Sequence, residues 1–281
     1  MMRAFTRAFT VLILIFLYIP MIILGIASLS SGTDVAVFKE FTLNNYGELF
    51  RDAVLLPLLL NSVILAVSSS LLATVIGTAA AVGIHRMSGR LRSITMTLTN
   101  IPLTNPEIVT GVSLALLFAF VGRAMKTNNV MGFLTLLIAH ITFNLPYVIL
   151  SVLPKLRQMD IHLSEAAMDL GCTPIQAFFK VVMPEIMPGI ISGALMSFTM
   201  SLDDFVISYF VYGAKYITLP VEIYNYTKRP LQPKIYALFT LLFIVILLVM
   251  ILMNILQARD IKNRRRIRPP DIISKLRRAG S

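Results

Sequence analysis

Apolar positions in this chain gather into long runs instead of alternating or recurring once per helical turn. Six such runs cover residues 9–29, 58–84, 94–121, 130–153, 185–210 and 235–256. A bilayer core about 30 Å thick needs about 20 apolar residues at about 1.5 Å of rise each, and every run reaches that length. The second and sixth hold no Asp, Glu, Lys or Arg. The pattern predicts an all-α, polytopic integral membrane protein with about six transmembrane helices. Arg3 and Arg7 precede the first run, so a secretory signal is its rival reading, with Ala27-Ser28-Leu29-Ser30 as an imitation of a cleavage site. The run is longer than the usual h-region and carries Tyr18 and Pro20, which favours an uncleaved helix.

Composition narrows the class. The 281 residues are 57% hydrophobic and 14% charged, against about 25% charged in soluble domains, and the mean hydropathy is +0.80. A soluble enzyme, a disordered chain and a disulfide scaffold are excluded. The only cysteine, Cys172, has no partner for an internal bridge. A net charge of +11 reads as topology and not as a nucleic-acid surface, because Lys and Arg collect on the cytoplasmic side of spans. With the N-terminus inside, 17 of the 25 basic residues fall on inner segments and 8 on outer ones. Both termini are therefore expected in the cytoplasm. The chain divides into a first helix with its outer loop (1–57), a five-helix core (58–258) and a basic tail (259–281). No internal repeat is visible, which weakens an inverted-repeat secondary transporter.

The inner loop 155–184 is long and patterned. Residues 161–171 read as a short amphipathic helix: Ser164 and Glu165 suit its start, Ala166 and Ala167 give a slim face, Asp169 follows, and Gly171 suits its end. Pro174 can open a second short helix running to Lys180. Such a knob could receive force from a soluble partner, or rest on the lipid surface; composition leaves both open.

Glu165-Ala166-Ala167, with Gly171 six positions after the Glu and Pro184 thirteen after the Gly, resembles the EAA loop of ABC importer permeases. Val181 and Met183 stand where that pattern usually has Ile and Leu. Further stretches resemble the spermidine/putrescine branch of PotC type: His140-Ile141-Thr142-Phe143-Asn144-Leu145-Pro146, Leu202-Asp203-Asp204-Phe205-Val206, Pro106-Glu107-Ile108-Val109 and Leu219-Pro220-Val221-Glu222-Ile223-Tyr224. The resemblance implies a type I importer permease fold in a bacterial inner membrane, with residues 164–180 as coupling helices docked in a cleft of an ATP-binding subunit. It also implies separate partner chains: a second homologous permease, two ATPase subunits and an extracellular or periplasmic polyamine-binding protein. No Gly-x4-Gly-Lys-Ser/Thr phosphate loop occurs in the sequence, so ATP and Mg would be held by the partners. No catalytic residue, metal site or cofactor is expected in this chain.

Glu107, Asp203 and Asp204 fall inside apparent spans, where an acid costs about 2.5–3.5 kcal/mol on the insertion scale and defaults to a functional reading. Counted from the inner ends, all three fall in the outer half of the bilayer. A polyamine, methylenes carrying separated ammonium groups, would use such acids with aromatic faces between them, each face contributing about 0.5–2 kcal/mol. Tyr147, Phe205 and Tyr209 are candidates. The site must stay weak enough to release its cargo. The competing reading gives the acids to a cation of the partner permease, to protonation, or to local hydrogen bonding, since Pro102 and Pro106 free backbone groups beside Glu107.

His140 and Asn144 share a helical face, suited to interhelical hydrogen bonds or, with a third ligand, to metal. Gly189 and Gly193 form a close-packing pair. The tail is expected to anchor at anionic lipid, with regulation of the ATPase as the alternative. Two rivals to the polyamine reading remain: a permease for ferric ion, thiamine or another organic cation, and an ion-driven secondary transporter.

Overall fold

A computed structural model describes the backbone of residues 2–32, 37–127, 130–160, 162–228 and 232–267, with side chains of 2–4, 8, 249 and 252–267 excluded. Most of the expected basic tail, from residue 268 onward, lies outside the described residues, as does Ile161. Among the described residues the chain is helical, with two isolated β-bridges, Ser30 to Phe41 and Gly213 to Tyr216. Five helical stretches among the described residues are long and apolar enough to cross a bilayer: Phe5–Ser28, Leu55–Arg86, Glu107–Ala124, Phe133–Gln158 and Pro174–Leu202. Pro233–Leu248 is a shorter apolar stretch at the start of a helix that continues to Ile267.

Two compact units emerge, one from residues 1–47 and 232–281 and one from 48–231. In the first, α1 (Met2–Ser28) packs on α12 (Pro233–Ile267). The Asn45 side-chain amide donates to the carbonyls of Ser28 (2.8 Å) and Ser30 (2.9 Å), satisfying backbone acceptors at the end of α1. A short helix, α2 (Asn44–Arg51), follows.

The second unit is organised around α3 (Leu55–Arg86), α6 (Phe133–Gln158) and α9 (Met183–Leu202), which pack most extensively on one another. Small residues make this possible. A Cβ at Gly193 would lie 3.1 Å from Val148 Cα, one at Gly189 3.3 Å from Val152 Cα, and one at Gly77 2.8 Å from Val148 Cβ. These pairs fix an antiparallel register for α6 and α9, with 148 beside 193 and 152 beside 189. His140 and Ser201, hydrogen-bonded at 2.6 Å, continue it two turns further. The glycine pair anticipated for the fifth span is thus a point of close approach between two helix backbones.

Two expected spans are broken. Residues 94–121 form α4 (Gly89–Thr104) and α5 (Glu107–Ala124). Pro106 disfavours the helical region for the residue before it, and Asn105 accordingly turns extended at φ −80, ψ 135. Residues 185–210 form α9 and a separate α10 (Val206–Val211). Here the Asp204 carboxylate captures the amides of Ile207 (3.3 Å) and Ser208 (2.7 Å) and so starts a new helix. Glu107, Asp203 and Asp204 therefore sit at helix breaks and not within continuous spans. Non-helical backbone at membrane depth has to line a cavity or be buried in protein, so the breaks mark the same region as the acids.

Candidate functional site

The loop after α6 forms α7 (His162–Asp169) and α8 (Pro174–Ala177). Asp160, and not Ser164, starts α7: its carboxylate accepts from the His162 amide at 3.0 Å. Ser164 lies inside the helix, and Glu165 is exposed, with its carboxylate 3.2 Å from His162 Nδ1. The end of α7 is a Schellman turn, in which the amides of Cys172 and Gly171 donate to the carbonyls of Ala167 (3.1 Å) and Met168 (2.9 Å). Gly171 has φ +92, where a side chain is strained. Thr173 and Gln176 then cap α8 reciprocally, at 3.3 and 3.1 Å.

The second short helix does not stop at Lys180 as expected. A π-helical turn, Phe178–Val182, joins it to α9, making one helical stretch from Pro174 to Leu202. Its 29 residues span about 43 Å, with the loop knob at one end and Asp203 at the other. Sequence reasoning also missed what the knob displays. Ala167 is buried, whereas Leu170 is 88% exposed and Ile175 72%, with Phe179 exposed beside them. Apolar side chains exposed this fully on one short loop are the kind of surface that a partner covers. Asp169 and Ala166 are exposed, and Pro184 lies in the first turn of α9.

At the far end of α9 the adjacent acids diverge. Asp203 is exposed, while Asp204 is buried. The Asp204 carboxylate accepts from the Ser208 hydroxyl at 2.8 Å and lies 3.4 Å from His140 Nε2. His140 also bonds Ser201 through Nδ1 (2.6 Å) and Ser208 through Nε2 (3.0 Å), and Ser201 bonds Ser69 at 2.8 Å. One buried network thus ties α3, α6, α9 and α10 together. His140 serves interhelical hydrogen bonding, with both ring nitrogens engaged. Three serines of that network, Ser69, Ser201 and Ser208, carry no motif that would have singled them out.

Glu107 is exposed at the first turn of α5. It lies within electrostatic range of Asp203, Asp204 and Tyr147. Gly111 explains the proximity: a Cβ there would lie 2.9 Å from Phe210, so α5 rests directly on α10. Tyr147 packs edge-on to Phe143 at 5.5 Å. Phe205 and Tyr209 (5.4 Å apart) share their cluster with Tyr224, 4.6 Å from Phe205 and 5.8 Å from Tyr209. Tyr224, not anticipated as a site residue, comes from α11 (Leu219–Thr227). Its approach is held from α3: Ser62 Oγ accepts from the Leu219 amide at 2.7 Å, and Tyr216 Oη donates to the Asn61 carbonyl at 2.7 Å. The cluster already holds one cation, with the Lys228 ammonium 4.7 Å from the Tyr224 ring centroid, a cation–π contact. The arrangement offers two exposed carboxylates, Glu107 within electrostatic range of Tyr147 and Asp203 two residues before Phe205, chemistry suited to ammonium groups.

Known proteins resemble this chain over most of its length. Residues 73–263 match the family described as binding-protein-dependent transport system inner membrane component. The chain is 39% identical over 251 residues to the putrescine transport system permease protein PotI of Escherichia coli K12, covering 89% of each. It is 35% identical over 261 residues to the spermidine/putrescine transport system permease protein PotC of Haemophilus influenzae, covering 92% of this chain and 99% of the relative. Among solved structures it resembles a chain of the bacterial alginate ABC transporter in complex with a pentasaccharide-bound periplasmic protein (TM-score 0.70, 17% identity, 92% and 94% covered). It also resembles one of the MetNI methionine ABC transporter in inward-facing conformations (TM-score 0.59, 19% identity, 73% and 95% covered). At those identities the structures speak for the fold alone.

Proposed function

This chain belongs to the family of binding-protein-dependent transport system inner membrane components, a multi-pass membrane subunit and not an enzyme, and on that premise we propose that it is the permease of an ATP-driven polyamine importer. Putrescine or spermidine is the cargo. The chain forms the path with a second permease, two ATPase subunits supply the drive with their own ATP and Mg, and an extracellular or periplasmic binding protein delivers the cargo. Both termini and the α7–α8 knob face the cytoplasm.

The observation that carries the cargo reading is that exposed Glu107 lies within electrostatic range of Asp203 and Tyr147, with Asp203 two residues before Phe205, whose ring meets those of Tyr209 and Tyr224. Carboxylates and rings in one electrostatic neighbourhood fit a flexible dication better than an anion or a sugar. The names of the relatives point the same way. Asp204 takes a different part: its buried bonds hold α10, which presents Tyr209, in place. Tyr147 lines the same neighbourhood from α6. The coupling part rests on the continuous Pro174–Leu202 stretch. A tilt imposed at the knob by ATPase closure moves the whole lever, and closure supplies drive because the ATPase dimer binds the two transporter states with different affinity.

Uptake of labelled putrescine by proteoliposomes containing the whole complex tests this. Excess spermidine should compete, while thiamine and ferric ion should not. Asp203→Asn and Glu107→Gln should each raise the apparent KM several-fold with assembly intact. Competition by thiamine or ferric ion alone would replace the cargo, and accumulation driven by an ion gradient without ATP would replace the mechanism.

A further inference from the structure

On α6, the apolar cores of the second unit are separated by one polar turn. Leu136, Ala139 and Phe143 belong to one buried cluster with Ile207 and Val211, and Val148, Ile149 and Val152 to another with Ile186. Asn144 lies between them, fully buried, with neither amide atom hydrogen-bonded. The α6–α9 register places one residue of α9 opposite it. With 140 beside 201, 148 beside 193 and 152 beside 189, the remaining rung pairs 144 with 197. Ser197 is also fully buried, and its hydroxyl also has no partner.

Two facing polar side chains, each without a bond in a buried layer, are costly alone, since buried polar groups are nearly always satisfied. Ser197 could turn to its own helix carbonyls. Asn144 cannot, because its amide offers two donors and two acceptor lone pairs. We propose that the Asn144–Ser197 rung holds a small polar guest, a buried water bridging α6 and α9. A neutral guest fits better than a cation. The buried carboxylate of the His140 network, Asp204, is already engaged by Ser208, Ile207 and His140, so a cation would lack counter-charge. Internal waters typically make about three hydrogen bonds, a number the two amide atoms of Asn144 and the Ser197 hydroxyl match. The guest extends the His140 network by one turn toward the glycine rungs. The α6–α9 contact is then dry and glycine-tight at the loop end and solvated at mid-membrane. This site does not depend on the cargo.

The whole complex in nanodiscs, imaged at a resolution that shows ordered water, should reveal density within hydrogen-bonding distance of both Asn144 and Ser197. Melting temperatures of Asn144→Leu, Ser197→Ala and the double variant give an independent reading. A bridging water predicts that each single change lowers the midpoint by about 2 °C or more. It also predicts that the double change lowers it by clearly less than their sum, although no hydrogen bond joins the two side chains. A direct Asn144–Ser197 bond with no density between them would overturn the proposal. So would additive effects, or single variants that melt higher than the parent, as expected of a dry layer relieved of orphaned polar atoms.

Discussion

Replacing Asp204 with Asn separates the two acids that stand side by side at the end of α9. The buried carboxylate accepts from Ile207 N at 3.3 Å, Ser208 N at 2.7 Å and Ser208 Oγ at 2.8 Å, and lies 3.4 Å from His140 Nε2. An amide keeps one oxygen. If that oxygen faces Ser208, both Ser208 bonds lose their charge-assisted character, at about 1 kcal/mol each, and the Ile207 amide confronts an NH2 group for about 1 kcal/mol more. The opposite orientation strands two donors and is worse. A loss of about 3 kcal/mol follows, a fall of at least about 5 °C in melting temperature for a chain of this size. Asp203, exposed one residue earlier, should tolerate Asn without a change in melting and raise the apparent KM for uptake several-fold instead. Fluorescence-detected size-exclusion melts of the assembled transporter, run beside labelled-putrescine uptake, read both quantities. Parental melting of Asp204→Asn, or a larger fall for Asp203→Asn, would refute the division into brace and path.

Two further outcomes follow from close geometry. Gly171→Val forces a β-branched residue into φ +92, at a cost of about 1–2 kcal/mol; it should misplace the turn between α7 and α8 and leave ATP hydrolysis uncoupled from uptake, measured as ATP consumed per putrescine moved. Gly189→Ala would put a Cβ 2.8 Å from the Ser151 carbonyl oxygen, where only a backbone shift relieves the clash. Overpacking of this kind costs about 1–3 kcal/mol, so the midpoint should drop, whereas Gly83→Ala, with open space at its Cβ, should leave it unchanged or raise it.

The spans were legible because long apolar runs have few other fates. Gly171 announced its turn because few other residues tolerate that backbone. The breaks at 105–106 and 203–205 were harder to see. Pro106 held the signal for the first, yet Pro146 and Pro154 sit within continuous α6, so proline alone does not decide. The second depends on Asp204 turning inward to cap α10, a choice made by packing against His140 and Ser208, and the sequence shows only two identical neighbouring acids. The continuous lever was concealed because Pro174, Pro184 and Pro188 suggest interruption, whereas the first two lie at helix starts and a π turn absorbs the join. The display of Leu170 and Ile175 was missed because an apolar residue in a short amphipathic helix is ordinarily taken to face inward.

The central claim is that the knob at α7–α8 receives force from an ATPase subunit and passes it along Pro174–Leu202. A photoactivatable residue at Leu170, which is 88% exposed, tests this in the assembled transporter more directly than one at buried Ala167. In membranes accumulating putrescine, irradiation should join this chain to the ATPase subunit, with a yield that differs between nucleotide-free and ATP-bound states. Membranes that accumulate putrescine with no such product in either state would contradict the account.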